Sequence, residues 1–221
     1  MKLDGLKINF LGDSITQGIG PSAPENIYHA ILAKEEGIIA RNYGISGTRY
    51  AYQKGTPKRP RLGYEDSNDF CSRFDKMDDD ADVVVVFGGV NDYSHGDASM
   101  GYFGDTTYET FYGACDYLYR GLLIKYLGKQ IVVMTPLHMI DEKKIPEIKM
   151  PGGYGILRDY VKAIKEVAEY YSIPVLDLYA VSGIQPDIEE VRSKYMPDGI
   201  HPNDEGHKII AARLKTFLQS L

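Results

Sequence analysis

Four short polar segments hold the residue types needed for nucleophilic acyl transfer. The first, Gly12-Asp13-Ser14-Ile15-Thr16-Gln17-Gly18, interrupts an apolar run from Ile8 to Leu11. Its glycines bracket a turn, and a helical pattern begins around Asn26, so Ser14 stands at a strand-turn-helix bend. A bend of that kind exposes the side chain at its tip. Its N–H lies near a helix start, where backbone donors can receive a developing oxyanion. Read singly, Asp13 or Ser14 fits a capping residue at least as well.

The second is Asp198-Gly199-Ile200-His201-Pro202-Asn203, ahead of the last amphipathic stretch. Pro202 disfavours helical backbone at His201 and Gly199 lets the chain bend, so Asp198 and His201 can project to one side. A carboxylate on Nδ1–H leaves Nε2 to take a proton from a serine hydroxyl, which is otherwise too weak an acid to attack an ester at neutral pH. The competing reading makes Asn203 or Asp204 a helix cap and His201 a partly buried turn residue.

The third and fourth are Asn42-Tyr43-Gly44-Ile45-Ser46-Gly47 and Gly88-Gly89-Val90-Asn91-Asp92. Without a Cβ, Gly44 lets its N–H approach a substrate oxygen closely, and Asn91 offers a side-chain NH₂ to the same oxygen. With the Ser14 N–H these make three donors. The alternatives are a backbone need for positive φ at Gly44 and a loop-bonding role for Asn91.

Of the five histidines, His29 sits in a helical pattern and His207 in the last helix, and both are expected at the surface. His95 and His138 follow strands and could line a pocket. No His-x-x-x-His or paired-carboxylate pattern points to a metal, and the two cysteines, Cys71 and Cys115, lack metal-ligand spacing. They read as reduced packing residues.

These segments need a frame that brings them together. Short β-branched runs recur at Ile8 to Leu11, Ile38 to Tyr43, Val83 to Phe87, Ile131 to Met134 and Val175 to Leu178. Between them lie helical stripes, the clearest being Leu157, Tyr160, Val161, Ile164, Val167, Ala168 and Tyr171. Others fall at Phe111 to Tyr126, Ile210 to Leu221 and, more weakly, Ile27 to Lys34. Strands alternating with helices predict a mostly parallel sheet of about five strands in a three-layer α/β/α sandwich, with Val83 to Val86 at its centre. In such sheets ligands bind beyond the carboxyl ends of the strands, where all four segments fall.

The 221 residues, 43% hydrophobic and 25% charged, suit a single domain spanning 1–221. A net charge of −6 argues against a nucleic-acid partner. No long apolar stretch precedes the first strand, so neither a signal nor a membrane partner is expected, and the default location is the cytoplasm.

Taken together and in order, the four segments resemble the GDSL or SGNH hydrolase family, with Ile15 where that family usually has leucine. The resemblance implies a flavodoxin-like fold and a carboxylic ester hydrolase needing no cofactor, with Ser14 as nucleophile, His201 as general base and Asp198 as its orienting acid. It further implies an oxyanion hole made by Ser14, Gly44 and Asn91. The family includes lysophospholipases, thioesterases, arylesterases and carbohydrate O-acetylesterases.

Two long stretches, Arg49 to Glu65 and Leu137 to Tyr154, follow the second and fourth strands and are expected on the ligand side. With the first of them, Asp13, Tyr50, Tyr52, Tyr93, His95 and His138 are the expected substrate-lining residues, and Tyr102 and Phe103 follow the same strand end. Aromatic and hydrogen-bonding residues without a long apolar run suit short acyl esters, acetyl esters of sugars first among them. Leu137, Met139 and Ile140 are the contrary sign, since they could line an acyl groove for a lysophospholipase or thioesterase. From other classes, a phosphate or flavin binder and a non-catalytic carbohydrate binder stay open.

Overall fold

The computed structural model describes residues 1–52, 69–144 and 155–221. Its strands are β1 (Lys7–Gly12), β2 (Ile39–Gly44), β3 (Val83–Phe87), β4 (Gln130–Met134) and β5 (Val175–Leu176). Its helices are α1 (Ser14–Gln17), α2 (Tyr28–Glu36), α3 (Val90–His95), α4 (Phe111–Lys125), α5 (Leu157–Tyr170), α6 (Leu178–Val181), α7 (Glu189–Tyr195) and α8 (Asp204–Ser220). The strands form one sheet in the order β2-β1-β3-β4-β5. Every neighbouring pair is parallel.

The side-chain period of two divides the core into halves. Val83, Val85 and Phe87 point to one face with Ile8 and Phe10, and meet Tyr28 and Leu32 of α2 and Ile210, Leu214 and Leu218 of α8. Val84, Val86 and Leu11 point to the other, and meet Leu118 and Leu122 of α4 and Tyr160, Ile164 and Val167 of α5. Valines 83 to 86 are buried on both faces at the sheet centre, as expected of a parallel strand covered by helices. Order reverses between β1 and β3, so the space beyond Gly12 and Phe87 is the switch point.

Several local expectations need correction. The chain turns helical at Ser14 itself, not first at Asn26. β5 is only two residues long, and Leu178 opens α6 because the Asp177 side chain caps that helix by accepting from Ala180 N. His29 and His207 are not surface residues: their relative exposures are 6% and 0%. Both sit on helix faces turned toward the core. His207 Nδ1 accepts from Tyr28 N at 3.1 Å, and His29 Nε2 lies 3.1 Å from Thr16 O. Burial holds both imidazoles below their ordinary value, His207 at about 3, so they are neutral. Cys71 and Cys115 are buried and unbridged. Among the described residues, no helix is long and apolar enough to cross a membrane.

Leu214, fully buried where α8 meets α2 and β1, tests the load on this interface. Leu214→Ala is expected to cost about 2–5 kcal/mol, which at this chain length lowers Tm by about 5–15 °C. A shift under about 2 °C would show that α8 relaxes into the gap.

Candidate active site

The end of β1 places the nucleophile candidate. Asp13 is the N-cap of α1, its Oδ1 accepting from Ile15 N at 3.1 Å, and Ser14 is the first helical residue. At that position the Ser14 N–H has no partner within its own helix. Thr16 Oγ1 meets the Tyr28 hydroxyl at 3.1 Å below the turn, which seats α1 on the core.

The turn before α8 places the base. Asp198 Oδ1 accepts from Ile200 N (2.9 Å) and His201 N (2.7 Å), folding the segment on itself, with Gly199 at φ 78°. Asp198 Oδ2 is then 2.7 Å from His201 Nδ1, and His201 Nε2 is 3.0 Å from Ser14 Oγ. With Nδ1–H donating to the carboxylate, Nε2 is left to accept from the serine hydroxyl. Asn203 meanwhile caps α8, accepting from Glu205 N and Gly206 N at 3.1 Å each. The segment thus supplies both a helix cap, Asn203, and a histidine that faces Ser14.

Strand register brings the donors alongside. Gly12 pairs with Gly44 on one side and with Phe87 on the other, so three strand ends lie level. Asn91, 8% exposed, donates through Nδ2 to Thr48 O at 2.9 Å, which fixes its amide and leaves a second hydrogen for another acceptor. Gly44 N–H donates to the exposed side chain of Asn42 (2.8 Å). The glycine at 44 is required by packing: a Cβ there would stand 2.2 Å from Gln17 N.

The carboxylates divide by environment. Burial lifts Asp13 to about 6, against the pull of the Ile15 N–H, His201 and Arg73. Burial likewise lifts Asp92 to about 7, although it accepts from Ala51 N and Tyr50 N. Half-exposed Asp198 is also pushed up by desolvation, but the N–H groups of His201 and Ile200 outweigh this and hold it below the usual value. It is the carboxylate suited to carry charge beside an imidazole.

The expected lining residues are mostly elsewhere. Tyr50 is wholly buried between Phe70, Phe111 and Tyr119. Tyr93 is core against Tyr160, its hydroxyl donating to Lys144 O. Two do line a small cavity beside the Ser14 turn: Asp13, the buried cap, and His138, which is tied to Glu142 at 2.7 Å and packed on Tyr179. His95 Nδ1 engages Ser94 Oγ at 2.8 Å. Tyr52 is 37% exposed and packs edge-on to Tyr108. Phe103 meets Tyr170 of α5 and lines a cleft that contains none of Ser14, Asp198 and His201. Hydroxyl-bearing aromatics at strand ends look the same in sequence whether they face ligand or core. Residues 53–65 of the first long stretch and 145–154 of the second lie outside the described residues. Sequence reasoning passed over Arg73, whose guanidinium reaches the ends of both β1 and β2; there it meets main-chain carbonyls, which leave no pattern in a sequence.

Comparison with known proteins gives the chain a family. The GDSL-like lipase/acylhydrolase family model matches residues 10–209. The chain belongs to that family. A solved structure 36% identical covers 100% of this chain and 99% of its own, with a TM-score of 0.85. One from Lactobacillus plantarum is 31% identical over 99% of this chain and 98% of its own, with a TM-score of 0.81. At 16% identity, covering 97% of this chain and 98% of its own with a TM-score of 0.66, a carbohydrate acetylesterase family member from Sinorhizobium meliloti shares the fold. So does a two-domain esterase active on acetylated mannans, 21% identical, covering 99% of this chain and 49% of its own, with a TM-score of 0.62. No curated protein matches. Membership makes the chain an acylhydrolase of ester substrates by family.

A carboxyl that binds its proton more tightly in the folded chain than in the unfolded one loses stability as pH rises between the two values. Asp13 is such a group, raised from 3.8 to about 6. Asp13→Asn keeps an oxygen for the Ile15 N–H and removes that cost. The variant is therefore expected to gain in Tm over the native chain as pH rises, the gap opening between about 4 and about 6 and holding above. Thermal unfolding of both at each pH checks it; a gap independent of pH would contradict the raised value.

Proposed function

We propose that the chain is a serine esterase of short acyl esters working through an acyl-enzyme. The reading rests on the unbroken line from Asp198 through His201 to Ser14, at 2.7 Å and 3.0 Å. His201 Nε2 takes the Ser14 proton as Oγ attacks the ester carbonyl, and the imidazolium so formed is stabilised by Asp198. The carbonyl oxygen, now an oxyanion, receives the Ser14 N–H, the free Asn91 amide hydrogen and the Gly44 N–H, which exchanges Asn42 for it. His201 returns the proton to the departing alcohol. Water, deprotonated by His201, then attacks the acyl carbonyl and releases the acid and the serine.

The acyl length is inferred from the small space beside the turn that carries Ser14, lined by its neighbours Asp13 and Ile15. Asp13, Ile15, Phe87, Val90, Met139 and Ile200 enclose a cavity of about 10 Å³, closed on a further side by Leu137. That is room for one water-sized or methyl-sized group. Leu137 and Met139, the contrary sign for a long acyl groove, are 3% and 8% exposed and form its walls. An acetyl group fits such a site and an octanoyl chain does not. For the alcohol half, acetylated sugars are the first choice: they are the chemistry named for the mannan esterase that shares the fold. A phosphate- or flavin-binding reading leaves the Asp198–His201 pair without a role.

A fluorophosphonate is expected to label Ser14, and Ser14→Ala to abolish both labelling and turnover. Asn91→Ala is expected to lower kcat by about 10²- to 10³-fold with KM little changed. A loss confined to KM would make Asn91 a substrate-binding residue instead. Across a series of acyl dyes, kcat/KM is expected to fall from acetyl and butyryl to octanoyl. A steady climb to dodecanoyl would replace this reading with a lysophospholipase or thioesterase.

A further inference from the structure

Arg73 lies outside all four segments, just after the Asp69–Phe70 turn, and its guanidinium is half-buried against the Phe70 ring, 5.0 Å from the centroid. It reaches three points of the site from below. Nη1 donates to Tyr43 O at 2.5 Å, and Nη2 donates to Gly12 O at 2.7 Å and to Thr48 Oγ1 at 3.1 Å. Each acceptor is one step from the chemistry. Gly12 O precedes the Asp13-Ser14 turn. Thr48 also holds Asn91, through its carbonyl at 2.9 Å. Tyr43 O belongs to the same peptide unit as the Gly44 N–H.

We propose that Arg73 is a positioning residue for the oxyanion hole, fixing the ends of β1 and β2 and the Thr48 loop that holds Asn91 in one relation and polarising the Tyr43–Gly44 peptide. A peptide whose oxygen accepts from a cation has a more positive N–H at its other end, because hydrogen bonds in series reinforce one another. Gly44 N–H is thereby made a better donor to an oxyanion, where charge develops only in the transition state. The planar fork explains the choice of arginine: two nitrogens span carbonyls on adjacent strands at once, whereas a lysine ammonium is a single point. Buried carbonyls at strand ends need partners in any case, but a neutral donor would satisfy them while polarising the Gly44 N–H less than a cation does.

The proposal rests on the oxyanion-hole reading above, and its test separates the two. Arg73→Ala and Arg73→Lys are assayed for kcat and KM on an acetyl ester, alongside Ser14→Ala and Asn91→Ala, with Tm measured for each. Arg73→Ala is expected to lose about 10- to 100-fold in kcat with KM within about twofold. Guanidinium ion at sub-denaturing concentration is expected to restore part of that kcat in Arg73→Ala and none in Asn91→Ala. Arg73→Lys, which keeps the charge but cannot span both carbonyls, is expected to stay at least about fivefold below the native kcat. If Arg73→Ala fails to fold, Arg73→Lys decides alone. A native kcat in either folded Arg73 variant, a loss carried wholly by KM, or no guanidinium rescue of a folded Arg73→Ala overturns the proposal while an inactive Ser14→Ala leaves the esterase reading intact. Turnover retained in Ser14→Ala would instead remove the esterase reading.

Discussion

The site depends on how closely α1 lies on the ends of β1 and β2. A Cβ at Gly12 would stand 2.1 Å from Thr16 Oγ1, and one at Gly44 2.2 Å from Gln17 N, so neither position admits a side chain. A helix of four residues has no stability of its own. It is held here from every side: the Asp13 carboxyl caps it, Thr16 reaches Tyr28 and His29 below, and Gln17 Oε1 accepts from Ser46 N at 2.5 Å across the strand ends. Rigidity at Ser14 is therefore a property of packing around it. That matters because a nucleophile displaced by an ångström loses most of the benefit of its neighbours.

The second constraint is electrostatic. Three carboxylates stand near the strand ends, and burial alone would favour the neutral form of each. Only Asp198 is held low, because its oxygens accept two backbone N–H groups and the imidazole while its side chain stays 53% exposed. Asp13 and Asp92 are buried and raised, and their oxygens serve as acceptors for Ile15, Tyr50 and Ala51 N–H groups, tying loops to helix starts. One residue type thus fills two roles according to solvation, as pairs of carboxylates with separated values do in acid–base sites generally.

The architecture was legible because it rests on period and composition. The short β-branched run from Val83 to Phe87 suits a central strand, and the stripe from Leu157 to Tyr171 suits a helix against it. Ser14, Asn91, Asp198 and His201 stood out as candidates because they sit at strand ends or turns, and the resemblance of the four segments to the GDSL family, not their spacing, implied their roles. What failed was the direction of side chains on elements of mixed face. Tyr50 and Tyr93 carry hydroxyls and stand where ligands bind, yet the core claims their rings. His29 and His207 sit on helices whose inward faces include them, and an imidazole paired with a backbone group is as acceptable there as an apolar residue. Arg73 was invisible for a third reason: the strand-end groups it meets are backbone carbonyls, which imply nothing about which residues carry them.

Specificity in such a site comes from asymmetry between the two halves of an ester. A buried methylene contributes about 0.8 kcal/mol only where there is space to bury it. If the acyl group enters the cavity beside Asp13 and Ile15, as proposed, that space ends after one small group. Its walls are not free to open: Phe87 lies at the end of the central strand, Leu137 and Met139 are packed into the core, and Gly199 O, one residue from Ile200, accepts from Ile140 N at 2.9 Å. Of these only methionine has the unbranched flexibility to yield. A longer acyl chain must therefore displace packed side chains or turn back toward solvent, and either course removes the gain that a lipase draws from each added carbon. On the esterase reading proposed above, acyl length is set by the same close packing that holds Ser14, and the alcohol leaves toward His201, whose side chain is 22% exposed.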